Sequence, residues 1–217
     1  RELDEVLVHR LDAQLADAVG VQAGAALEQQ QEVARALDLD LAAGDQRARD
    51  VPVVERHERR LTLGPNPLVL VIESVEKPGN VGAMLRTADG AAVDAVVVAS
   101  EMADPWNPNV IRASQGAVFA VAFATASPIA TVDWIGRHGL QLVAASPEAS
   151  RSLWEADLTV PTAIVVGAED KGLTPTFRSQ ESTVSIPMAG TSDSLNASVA
   201  AAVMLYEAVR QRGGSAR

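Results

Sequence analysis

LVLVIESVEKPGNVGAMLRTADGAAVDAVVVA, Leu68–Ala99, is the stretch whose reading decides the fold. It opens on an unbroken apolar run, Leu68–Glu73, of the kind found in a parallel strand buried on both faces. A Pro-Gly turn follows, and the spacing predicts a helix over Val81–Ala92, with Asn80 placed to cap it. A second apolar run, Ala95–Ala99, predicts the next strand. Strand, helix, strand with no hairpin signal between them is the signature of a parallel α/β unit.

Working outward, the same alternation continues to the end of the chain. Pro105–Gly116 reads as loop and short helix, Val118–Ala124 as a third strand and Ile129–His138 as a helix. Leu140–Ala145 and Ala163–Gly167 read as further strands. Thr174–Gln180 is a short helix after a turn, and Val184–Pro187 a last short strand. Ser194–Arg212 is a closing helix with Met204, Leu205, Ala208 and Val209 on its apolar face. The fold class is therefore α/β, a mostly parallel sheet with helices on both faces, over residues 61–217. Residues 1–60 differ in texture: a short, partly helical N-terminal segment with a helix over Ala25–Ala42, and an arginine-rich linker over Gly44–Arg60.

The composition excludes several kinds of chemistry. Of 217 residues none is cysteine, so disulfides, thiolate zinc sites and a cysteine nucleophile are out. His9, His57 and His138 lie far apart and make no metal-ligand spacing, so no metal is expected. No apolar run is long enough to span a membrane. The start has neither a methionine nor a signal-peptide pattern, and reads as a chain whose true beginning is missing. The net charge of −10 argues against a protein that coats nucleic acid electrostatically, while leaving room for a local basic site.

Ligands of parallel sheets bind beyond the carboxyl ends of the strands, so three loops matter. In EKPGNVGAMLRTA, Glu76–Ala88, a helix start and Arg86 suit a phosphate or a polarised hydroxyl; an ordinary helix with a surface arginine is the other reading. In IVVGAEDKGL, Ile164–Leu173, a strand runs into Gly167, where a ligand can lie against the backbone, and Glu169 follows in the turn. In VSIPMAGTSDSLNASV, Val184–Val199, the apolar Ile186, Met188 and Leu195 surround a polar loop, against either the core or the flat face of a purine. GxGxxG and GxxxxGK[ST] fingerprints are absent.

Taken in order, NVGAMLRTADGA at Asn80–Ala91, VVGAEDKGL at Val165–Leu173 and SIPMAGTSDSLNASVA at Ser185–Ala200 resemble the three motifs of the SpoU/TrmH branch of the SPOUT methyltransferases. The resemblance covers about residues 67–211. It implies a C-terminal trefoil knot and methyl transfer from S-adenosylmethionine to a ribose 2′-hydroxyl of transfer RNA or ribosomal RNA. It also implies a cytoplasmic homodimer. Carried over position by position, it implies Arg86, Asn80, Glu169, Ser194 and Asn196 as catalytic-site residues. Gly167, Ile186, Met188, Ser194 and Leu195 become cofactor contacts, with Asn196 beside them. Many members carry an RNA-binding domain of about a hundred residues before the catalytic one; here some sixty unlike residues stand in its place, so that domain is shortened, altered or absent. The competing readings are a methyltransferase of the same fold acting on a base nitrogen, and a non-catalytic RNA-binding protein.

Overall fold

The computed structural model describes residues 61–100, 104–169, 171–178 and 183–213. The helix and linker expected within residues 1–60 lie outside the described residues. Six strands form one sheet: β1 (Leu68–Glu73), β2 (Ala95–Ala99), β3 (Phe123–Thr125), β4 (Gln141–Ala145), β5 (Thr162–Val166) and β6 (Thr183–Val184). Their order is β3-β2-β1-β5-β4-β6 and every pairing is parallel. The α-helices among the described residues are α1 (Pro78–Gly90), α2 (Pro108–Ser114), α3 (Ala117–Ala120), α4 (Pro128–Arg137), α5 (Pro175–Arg178) and α6 (Ala197–Gln211).

Alternate residues of the central strand serve two cores. Leu68, Leu70 and Ile72 join Met84, Leu85, Met204 and Leu205 beneath α1 and α6. Val69 and Val71 join Ile135 and Phe177 beneath α4 and α5. All six β1 residues are buried, which is why its sequence is a continuous apolar run rather than an alternation. Each fully buried Leu or Ile contributes about 1.5–3 kcal/mol of transfer free energy. These two layers are the helices on both faces that the sequence implies.

Three elements differ from the sequence reading. The helix after β1 starts at Pro78, not Val81. Lys77, held extended before the proline, takes the cap position, and Asn80 lies inside the first turn. The predicted strand Val118–Ala124 is half helix: Gly116, at φ 88°, turns the chain into α3, and only Phe123–Thr125 joins the sheet. The last helix begins at Ala197, with the Asn196 side chain accepting a hydrogen bond from the Ser198 amide as its cap.

β1 and β5 are neighbours, yet the chain leaves β1 for α1 on one face and leaves β5 for α5 on the other. Adjacent strands whose exits diverge open a crevice at their carboxyl ends, and this is where a ligand finds room.

Candidate functional site

The crevice is built from three segments distant in sequence. Asn80 comes from the first turn of α1, Glu169 from the turn after β5, and Asn196 from the cap of α6. They meet around one carboxylate. Glu169 Oε1 accepts hydrogen bonds from Asn80 Nδ2 at 3.0 Å, from Asn196 Nδ2, and from the Ala197 amide at 3.4 Å. Its other oxygen accepts from Lys77 Nζ. Asn196 Nδ2 also donates to Asn80 Oδ1 at 3.3 Å, closing a triangle of side chains. The Lys77 ammonium first, and the Asn80 amide second, hold the Glu169 carboxyl below its usual range, against the smaller opposing effect of desolvation.

Below this triangle a second carboxylate locks the turn. Glu73, fully buried at the end of β1, accepts from Ser74 Oγ at 2.8 Å and from the Thr174 amide at 3.1 Å. It thus ties the end of the turn after β5 to the central strand. Gly167, at the start of that turn, is required by close approach. A Cβ there would stand 2.7 Å from the carbonyl carbon and oxygen of Gly172 and 2.9 Å from the Leu173 amide nitrogen.

The remaining candidates are placed as follows. Ile186 is half-buried and packs on the core; Leu195 is also half-buried, and Met188 is exposed. Residues 187–196 run without regular structure, and Ser194 is exposed among them. Arg86 does not join the triangle. Six residues at about 100° each set it about 240° around α1 from Asn80. It lines a shallow cleft with Ala83, Thr87 and Gly90 of α1, Ala113 of α2, and Ala202 and Tyr206 of α6. Tyr206 and Val199 of α6 are exposed.

Two residues escaped the sequence reading. Lys77 bonds Glu169 across 92 residues, and its only sequence signal is its place just before the Pro-Gly turn. Tyr206 lies beside Arg86, and its only sequence signal is a polar-tipped aromatic on a helix otherwise rich in alanine and valine.

The three segments that meet here are those carrying the motif resemblance, and the family model for the SpoU rRNA Methylase family matches residues 67–206. The chain belongs to the SpoU methylase family. Among SpoU relatives, the RlmB 23S rRNA (guanosine-2′-O-)-methyltransferase of Pectobacterium atrosepticum is 39% identical over 150 residues, covering 68% of this chain and 62% of the relative. The 23S rRNA (uridine(2479)-2′-O)-methyltransferase of Streptomyces viridochromogenes is 33% identical over 195 residues, covering 84% and 68%. Among solved SpoU structures, an RNA 2′-O ribose methyltransferase matches with a TM-score of 0.68 and 47% identity, covering 73% of this chain and 62% of that one. AviRb from Streptomyces viridochromogenes, solved with AdoMet, matches with a TM-score of 0.69 and 32% identity, covering 74% and 64%. The chain spans 62% of the length of the Pectobacterium relative and 60% of a similar RlmB from Ralstonia nicotianae. Its fold is that of the SpoU/TrmH methyltransferases.

Proposed function

We propose that this protein is an S-adenosylmethionine-dependent RNA methyltransferase that modifies a ribose 2′-hydroxyl of ribosomal or transfer RNA, acting in the cytoplasm as a homodimer. The observation that carries the reading is the Asn80–Glu169–Asn196 triangle. It joins one polar residue from each of three motifs at the crevice of a SpoU-family sheet. Residues 1–60 are read as an N-terminal segment or the remnant of an RNA-binding domain.

The residues fit the cofactor. Ile186, Met188 and Leu195 offer apolar surface beside loop backbone, and a Cβ at Gly190 would meet nothing within 4 Å. Apolar walls with a few polar groups suit a purine. Gly167, Ile186, Met188 and Leu195 would hold the adenosine part, and Ser194 the amino-acid end. When bound, the cofactor supplies an electrophilic methyl group on a sulfonium.

The chain's own task is then to align the ribose oxygen and help its proton leave. Asn80 and Asn196, fixed by Glu169, are orienting groups. Arg86, a planar fork of five donors with no acceptor, is read as a clamp, with direct base action the alternative. It would bind the adjacent phosphate and stabilise the developing alkoxide, while phosphate or water takes the proton. Its position away from the triangle, in a cleft lined by alanines, glycine and the exposed Tyr206, with Val199 exposed on the same helix as Tyr206, supports the homodimer. A second copy packed on that face would put Arg86 at the junction of two subunits. The knot belongs to the same reading, supported by the hydrogen bond that the Ala197 amide, at the start of α6, donates to Glu169 in the turn after β5.

The test is mapping of 2′-O-methyl sites in cellular RNA with and without this protein, paired with calorimetry for S-adenosylhomocysteine. Loss of one methylated ribose and one cofactor site per subunit are expected. An unchanged methylation map with no heat of binding would overturn the reading.

A further inference from the structure

The chain has 18 basic residues, and only two of them, Lys77 and Lys171, are lysines. Both stand at the mouth of the crevice. Lys77 lies on the loop after β1 and Lys171 on the loop after β5, and each pairs with a carboxylate of the opposite loop. Lys77 Nζ bonds Glu169, and Lys171 Nζ lies 3.1 Å from Glu76 Oε1. The side chains of Lys77 and Lys171 remain 72% and 67% exposed. Arg178 adds a third cation to the same loop by donating to the Lys171 carbonyl at 3.1 Å.

Exposed pairs of this kind contribute little to stability, because water and salt screen them and two long side chains must be held still. A stability role would also be served as well or better by arginine, which this chain uses at every other basic position and which grips a carboxylate with a rigid fork. Lysine differs in being a compact charge on a flexible stem with three rotatable donors. It can swing from one anion to another without breaking a bidentate geometry.

We propose that Lys77 and Lys171 are a pair of RNA-phosphate contacts at the mouth of the site, held ready by Glu169 and Glu76 and handed over when the RNA backbone arrives. The inference rests on the RNA reading above and adds where an acidic chain takes hold of a polyanion. The two carboxylates offset the two ammonium charges when the mouth is empty. A phosphate that draws Lys77 away from one Glu169 oxygen leaves Asn80 and Asn196 on the other, so the orienting triangle is kept while the backbone docks.

The experiment uses the full chain and a fluorescein-labelled 20-nucleotide oligouridylate, since phosphate contacts carry no sequence information. Lys77→Met and Lys171→Met are each expected to weaken binding about three- to tenfold. Each should lower the slope of log K against log salt by about 0.7, the value for one lost contact on a single strand. Lys171→Arg keeps the slope, and Arg137→Met, on α4 away from both loops, leaves it unchanged. The decisive variant is Glu76→Gln. Removing the competing carboxylate should tighten binding about two- to fivefold, whereas a merely structural pair predicts weakening, as in Lys171→Met. Acylation by an amine-reactive reagent, read by mass spectrometry, should show both lysines protected by the oligouridylate. Weakened binding in Glu76→Gln, or unchanged affinity in both methionine variants, overturns the proposal. A parent that methylates RNA while its lysine variants bind normally refutes this inference alone; a parent that methylates no cellular RNA refutes the function it rests on.

Discussion

Substituting Gly82 by alanine sets two effects of opposite sign against each other. Gly82 lies in the middle of α1, where alanine is favoured over glycine by about 0.8–1.0 kcal/mol. The same position is where α1 presses on α2. An added Cβ would stand 2.6 Å from Ala113 Cβ, 2.7 Å from the Val110 carbonyl oxygen and 2.8 Å from the Ser114 amide nitrogen. Two of those three atoms are backbone, so no side chain can rotate away and α2 itself must move. Overpacking of a tight contact costs about 1–3 kcal/mol, and backbone contacts belong at the upper end. The clash therefore wins by about 1–2 kcal/mol. For a domain of roughly 150 residues that lowers the melting temperature by about 3–8 °C. Gly79→Ala is the internal control. It sits in the first turn of the same helix, and its Cβ would meet nothing within 4 Å. That variant should melt at or slightly above the parent temperature, by about 1–3 °C. Thermal unfolding followed by circular dichroism on the three proteins decides it. If Gly82→Ala melts as high as the parent, α1 and α2 are not in the close contact described, and the placement of Asn80 and Arg86 loses its support.

Three further outcomes are expected. Arg86→Ala should keep its melting temperature and bind S-adenosylmethionine within a few-fold of the parent, while single-turnover methylation falls by about 10²–10³; Arg86→Lys should recover little, and near-parent turnover in the alanine variant would remove Arg86 from the chemistry. Glu207, bonded first by Arg210 and then by Gln211, has its pKa lowered from 4.5 to about 2. Its contribution to stability is complete above the unfolded value and is lost as pH falls through the folded one, so Glu207→Gln should flatten the drop in melting temperature between pH 5 and pH 2. Light scattering should give a dimer for the parent and a monomer for Tyr206→Asp combined with Val199→Asp; an unchanged mass in the double variant would move the interface off α6.

Much of the fold is legible because burial on both faces leaves an unmistakable trace. β1, β2 and β5 are apolar at nearly every position, and their sequence runs match the strands within a residue or two. Val118–Ala124 is equally apolar, but periodicity cannot separate a buried strand from a buried turn of helix. The left-handed Gly116 decides that case, and a single glycine in a sequence does not announce its φ. The candidate residues were individually legible as strand-end loops, and Asn80 was rightly placed near a helix start, whereas Arg86, expected on the first turns, falls past the middle of α1. That Asn80 turns toward Glu169 while Arg86 turns away follows from the helix beginning at Pro78, three residues earlier than the polar-to-apolar change suggested. The Lys77–Glu169 and Lys171–Glu76 pairs span more than ninety residues and have no periodic trace to read.

The pairing of β1 with β5 also sets a clock on the protein's birth. Leu68 takes its place beside Thr162, whereas Val96, on the strand flanking β1 opposite β5, needs only the nearby Leu70. On a ribosome adding about 5–20 residues per second, β1 leaves the exit tunnel on the order of 5–20 seconds before its second neighbour exists. Through that interval an apolar strand presents a bare hydrogen-bonding edge at the centre of the future sheet, the situation most open to pairing with the wrong chain. Asn196 arrives later still. A nascent chain can therefore hold β1, β2 and α1 in place and yet possess no site, and binding competence should appear abruptly, with the last helix.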